Sequence, residues 1–130
     1  MAPRKILVVD DDPDIRESLQ SIIEANVPQM KVDTASTGQE AVGLLSGQPY
    51  AALVTDYRMP GMTGVDLVNA AHSLKPDLAV IMVTAYNSLG MEEAAACAGI
   101  DIIVHKPVDP TSFLMALLAT LGQHQDPPVG

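Results

Sequence analysis

Residues 5–13 read KILVVDDDP: a lysine, four consecutive aliphatic residues, three aspartates and a proline. An unbroken aliphatic run marks a strand buried on both faces, as in a parallel sheet between helix layers. Three like charges where such a strand ends repel one another. Either the chain simply reaches water there, or something positive sits between them. Asp12 followed by Pro13 supplies an N-cap and an N1 proline. Ile15, Leu19, Ile22 and Ile23 then fall at i, i+4, i+7 and i+8, which predicts a helix over 14–26.

The same unit recurs along the chain. Apolar runs stand at 30–35 (MKVDTA), 51–55 (AALVT), 78–84 (LAVIMVT) and 100–105 (IDIIVH). All but the second are nearly continuous; the second alternates and suits a sheet edge. Helical spacing follows in 37–47 (Ala41, Val42, Leu44, Leu45), in 64–74 (Val65, Leu67, Val68, Ala71) and in the Ala-rich 87–98 that stops before Gly99. DPTSFLMALLATLG, residues 109–122, repeats the Asp-Pro start and ends on Gly122. Five strands alternating with five helices imply right-handed crossovers and a three-layer α/β sandwich. One domain is expected over 1–122, with QHQDPPVG at 123–130 a frayed end or the start of a linker.

Composition narrows the function. At 130 residues the chain can bury a core, and with 48% hydrophobic residues but one Phe, three Tyr and no Trp that core is aliphatic. The formal charge of -9 and only 7 basic residues argue against direct nucleic-acid binding. A single cysteine, Cys97, forms no internal disulfide and fits a reducing compartment. No apolar run has signal-peptide or membrane-span length, so a soluble, cytoplasmic protein without membrane contact is expected.

In such sheets a ligand site belongs outside the carboxyl ends of the strands. Asp10, Asp11 and Asp12 follow the first strand, Asp56 the third, Thr84 ends the fourth, and the fifth runs into Lys106-Pro107. Clustered carboxylates need a counter-charge. Mg2+ suits them, taking one or two carboxylates and bridging to phosphate oxygens. A carboxylate can also attack phosphorus to give an aspartyl phosphate, with charge stabilised by a cation, a lysine and a hydroxyl.

The segments ILVVDDDP, LVTDYRMPGMTG, IMVTA and HKP, in this order, make residues 5–121 resemble the receiver domain of two-component response regulators. The resemblance implies a flavodoxin-like (βα)5 fold with strand order 2-1-3-4-5. By position it implies that Asp56 accepts the phosphoryl group from a histidine kinase or phosphotransfer protein. Asp11 matches the direct Mg2+ ligand (Mn2+ a substitute), Asp10 its acidic neighbour, and Arg58 the residue offering a backbone carbonyl. Thr84 matches the hydroxyl that moves towards the phosphoryl group, and Lys106 the lysine that pairs with it, with Lys106-Pro107 commonly cis. A phosphorylated surface of fourth helix, fifth strand and fifth helix would signal to a downstream protein or output domain, or pair with a second copy as a homodimer. The chain is then a switch catalysing only its own phosphorylation and slow dephosphorylation, not a metabolic enzyme.

Other residues carry blander readings. Asp12 is the helix cap, Cys97 a small core residue, and Met59, Met62, Met82 and Met91 are packing. His72, His105 and His124 share no ligand spacing; His105 packs or faces solvent. Ile103 departs from the family, which often has Tyr or Phe there, and Tyr86 becomes the candidate mobile or shielding aromatic. With Arg58 it flanks the path of an attacking water, which implies a long-lived phosphorylated state. Three alternatives stay open: another Mg2+-dependent phosphohydrolase, for which no cap is visible; a phosphorylation-independent pseudo-receiver; and a receiver piece of a larger regulator or hybrid kinase.

Overall fold

The computed structural model describes residues 4–124. The chain runs β1 (Arg4–Val9), α1 (Pro13–Asn26), β2 (Met30–Ala35), α2 (Gly38–Gly47), β3 (Ala52–Thr55), α3 (Gly64–Leu74), β4 (Ala79–Thr84), α4 (Leu89–Ala98), β5 (Ile102–His105) and α5 (Pro110–His124). All strand pairs are parallel and the sheet order is β2-β1-β3-β4-β5. This is the flavodoxin-like doubly wound sheet expected from the sequence.

The continuous aliphatic runs follow from the two helix layers. Successive residues of β1 point to opposite faces. Ile6 and Val8 join Leu19, Ile23, Phe113 and Leu117 from α1 and α5, whereas Leu7 and Val9 join Ala41, Leu45, Leu67 and Val68 from α2 and α3. A third, smaller cluster of Met82, Met91 and Ala95 seats α4. Met82 and Met91 are buried packing residues, as expected. β2 alternates because it is an edge.

Three local expectations change. β5 is half-covered rather than buried, because it forms the other edge and its last residue, His105, is exposed. Cys97 is exposed. The buried positions of α4 are Met91, Ala95 and Ala98, spaced one helical turn apart, and Cys97 falls off that stripe. α5 continues past Gly122 to His124, whose Nδ1 lies 2.8 Å from the Asp77 carbonyl and whose Nε2 lies 3.0 Å from the Asp101 carboxylate. The rest of the proposed tail, 125–130, lies outside the described residues. No described helix is long and apolar enough to cross a membrane.

Candidate phosphoryl and metal site

The sheet's hydrogen-bond ladder continues one rung beyond the strands. Asp10 N–H donates to Ala35 O (3.2 Å), Asp56 N–H to Val9 O (3.1 Å) and Lys106 N–H to Thr84 O (3.0 Å). The backbones of both acids and the lysine are therefore fixed by the same register that holds the core. The point where β1 meets β3 is also where the winding direction reverses, so a crevice opens beside Asp10 and Asp56.

The strand ends do converge. Lys106 Nζ lies 3.0 Å from Asp10 Oδ2 and 3.0 Å from Asp56 Oδ2. The other oxygen of each carboxylate is held by backbone: Asp12 N–H donates to Asp10 Oδ1 (2.9 Å) and Tyr57 N–H to Asp56 Oδ1 (2.6 Å). Arg16 Nη1 donates to the Asp10 carbonyl at 2.7 Å, tying the start of α1 to the strand end. Asp10, Asp11 and Asp56 each place one carboxylate oxygen within 4.8 Å of the others. Asp10 and Asp56 are buried, and Asp11 is exposed.

One ammonium faces three carboxylates. The Asp10 carboxyl is pushed above its ordinary pKa, chiefly by burial, which the Asp12 amide and Lys106 only partly offset while Asp56 adds to the rise. Burial pulls the Lys106 ammonium down, but the hydrogen bonds it donates to both carboxylates outweigh that and hold it above its ordinary value. Lys106 has two anionic partners to offset its burial, whereas buried Asp10 has one cation and shares it with Asp56. A site short of two positive charges, lined by carboxylate oxygens and open at Asp11, suits a hard divalent cation. The donor set fits.

Asp12 is the N-cap of α1, accepting from Asp14 N–H, as its place before Pro13 predicts. Thr84 is buried, and its Oγ1 accepts from Tyr86 N–H at 3.0 Å. Lys106-Pro107 is cis. Arg58 sits on the exposed loop after Asp56, and Ile103 is half-buried against Met82, Met91 and Ala95. The acids line neither of two surface grooves. One lies by Lys5, Tyr50, Lys75 and His124, the other between α1 and Pro107-Val108, beside the site.

The family model for the response regulator receiver domain matches residues 6–118. The chain belongs to this family. Among its relatives, the response regulator protein PilR of Pseudomonas aeruginosa is 39% identical over 98% of this chain and 28% of that protein. The response regulator MprA of Mycolicibacterium vanbaalenii is 34% identical over 92% of this chain and 51% of that protein. A CheY-like receiver domain protein from Methanospirillum hungatei superposes with a TM-score of 0.88 at 32% identity, covering 93% of this chain and 95% of that one. This receiver chain thus spans about half the length, or less, of these sequence relatives.

Sequence reasoning missed three participants. Tyr57 stacks on Tyr86 with ring centroids 4.9 Å apart and planes 10° apart, and the Arg58 guanidinium lies 4.2 Å over the Tyr86 ring. Arg16 was legible only as a helix residue. Gly64 starts α3 with its N–H on Tyr57 O (2.7 Å), and any Cβ there would run into the Asp56 carbonyl. Nothing in local periodicity signals these contacts, because each joins two loops or a loop to a helix start.

Proposed function

We propose that the receiver switches through phosphorylation of Asp56, taken from a histidine kinase or phosphotransfer protein. The observation that carries this reading is the single ammonium of Lys106 shared by two buried carboxylates beside a third. That arrangement holds the Asp56 side chain oriented and next to a site for a divalent cation. A carboxylate oxygen of Asp56 attacks phosphorus, the bond to the donor imidazole nitrogen breaks, and an acyl phosphate forms while the imidazole takes a proton. Lys106 loses one carboxylate and gains a phosphoryl oxygen. The Thr84 hydroxyl, at the neighbouring strand end, donates to a second.

Asp10 and Asp11, with Asp56 and the Arg58 backbone carbonyl, would hold Mg2+, or Mn2+ in its place. Bound there, the cation neutralises charge on the phosphoryl oxygens. The open position of the acids, outside either groove, suits a donor carried on another protein. The chain is a signalling switch acting in the cytoplasm, its receiver unit covering 1–122, and its output goes to a downstream protein or a further domain. The exposed Leu89, Met115 and Leu118 on α4 and α5 provide apolar area for that contact or for a homodimer.

Intact mass after treatment with acetyl phosphate and Mg2+ tests the reading. One phosphoryl adduct is expected on the native chain and none on Asp56→Asn. No adduct on the native chain would leave a binding module that works without phosphorylation, and equal labelling of both would put the phosphoryl group on a residue other than Asp56.

A further inference from the structure

We infer that Tyr57, Tyr86 and the Arg58 side chain form a latch that opposes phosphorylation by holding the β4–α4 loop in its unphosphorylated place. The inference rests on Asp56 being the acceptor and Thr84 the responding hydroxyl. The two stacked tyrosines are also the two residues whose backbone amides hold those groups. Tyr57 N–H donates to Asp56 Oδ1 and Tyr86 N–H to Thr84 Oγ1. The ring pair therefore joins the peptide directly after the acceptor to the second peptide after the hydroxyl-bearing residue. The Arg58 guanidinium also lies over the Tyr86 ring.

Among the described residues, Thr84 Oγ1 bonds to no atom of Asp56 or Lys106; its partner is the Tyr86 amide. Thr84 can approach a phosphoryl group on Asp56 in two ways. Leaving the amide would orphan a partly buried N–H, which is costly. Drawing the amide along keeps the bond but moves Tyr86 relative to Tyr57, since Tyr57 is tied both to Asp56 and, through its carbonyl, to Gly64 N–H of α3. The second course shears the stack.

Position 103 strengthens the case. Ile103, Tyr57 and Tyr86 pack, partly buried, on the same Met82, Met91 and Ala95 cluster that seats α4. The aromatic surface that could respond to Thr84 is supplied here from the β3 and β4 loops and not from β5. Because Tyr86 rests on Met91's cluster, a sheared stack also loosens what α4 packs against. The latch thus both resists the modification and carries it to α4.

Beryllofluoride, a tetrahedral phosphoryl mimic, provides the test. Occupancy of Asp56 is read by 19F NMR at fixed Mg2+ in the native chain, Tyr57→Ala, Tyr86→Ala, the double variant, Tyr86→Leu and Tyr86→Phe. Loss of the stack is expected to lower the midpoint about two- to tenfold, the free energy of one aromatic pair. Tyr57→Ala and Tyr86→Ala should each have that effect, and the double variant should add nothing. Tyr86→Phe keeps the ring and should match the native chain. Tyr86→Leu keeps apolar packing without stacking and should match Tyr86→Ala, which separates the latch from simple loss of fold. Unchanged or raised midpoints, multiplying effects in the double variant, or failure of Tyr86→Phe to restore the native value would overturn the latch. No bound signal on the native chain, or equal binding by Asp56→Asn, would instead overturn the acceptor assignment and the latch with it.

Discussion

Glycine-to-alanine changes at two helix positions should move stability in opposite directions. Gly64 opens α3, where alanine is ordinarily the better helix former by about 1 kcal/mol. A Cβ there, however, would overlap the Asp56 carbonyl oxygen, sit 3.0 Å from the Asp56 carbonyl carbon and 2.9 Å from Met82 Cε. Met82 can swing aside; the carbonyl cannot, because Thr55 Oγ1 donates to it at 2.9 Å and the next residue's carbonyl accepts the Gly64 N–H. Relief requires α3 to back away from the acceptor loop, stretching that N–H bond. Overpacking costs about 1–3 kcal/mol and the weakened hydrogen bond about 1 more, against about 1 kcal/mol gained in propensity. The net loss is about 1–3 kcal/mol, a urea midpoint lower by roughly 1 M. At Gly43, in the middle of α2, an added Cβ would meet nothing within 4 Å among the described residues, so Gly43→Ala should stabilise by about 0.5–1 kcal/mol. Urea unfolding of both variants in metal-free buffer decides the matter. A Gly64→Ala protein as stable as the native chain would refute the reasoning, since backbone contact with Asp56 is its whole basis.

Thr120 of α5 is buried and its hydroxyl has no partner among the described residues, so Thr120→Val should raise stability by about 1 kcal/mol in thermal or urea unfolding, and a loss would show that the hydroxyl is satisfied. His124 is held above the ordinary imidazole value of 6.5, first by the Asp101 carboxylate and also by the Asp77 carbonyl, working against some burial. A raised imidazole pKa adds stability that is complete below 6.5 and disappears as pH climbs through the folded value. Native and His124→Gln urea midpoints should therefore differ most in mildly acidic buffer and converge in alkaline buffer; a constant gap would contradict this. If the Arg58–Tyr86 pair shields the acyl phosphate from water, phospho-Asp56 should persist for minutes or longer in mass-spectrometric time courses, and decay within seconds would reject the shielding.

The strand ends were readable because a parallel sheet fixes their level. Once five aliphatic runs are placed, the residues that end or follow them land on one edge, and Asp10, Asp56, Thr84 and Lys106 fall there without any knowledge of contacts. Asp12 was readable for a different reason, since a cap is a local event decided by Pro13 and the helix behind it. The faces of α4 were not readable: in MEEAAACA the buried Ala95 and Ala98 and the exposed Ala94, Ala96 and Cys97 are chemically alike, so no apolar stripe marks the inside. The Tyr57–Tyr86 stack was hidden because it joins residues brought together only when β3 and β4 pair. Tyr86 drew notice as the candidate aromatic in place of one at Ile103; Tyr57, adjacent to the acceptor, drew none.

The three aspartates after β1 divide the labour, and the division has a measurable consequence. Asp12 spends its charge on a helix start and stands outside the cluster. Asp10 is buried, forced to share Lys106 with Asp56, and carries a charge that the folded chain disfavours. Asp10→Asn keeps the oxygen that accepts from the Asp12 amide and leaves Lys106 wholly to Asp56. In chelator-treated buffer at neutral pH the variant should therefore be more stable than the native chain, with a higher urea midpoint. Mg2+ should then narrow the gap, because the cation restores to the native chain the compensation that Asp10→Asn obtains by losing charge, and the variant has fewer anionic oxygens with which to gain from it. If the lysine bridge were chiefly a structural brace, the opposite order would appear: Asp10→Asn would be the weaker protein in chelator, and Mg2+ would not close the difference. The order of the two midpoints without metal therefore tells whether this cluster is held together for the fold or held apart for a cation.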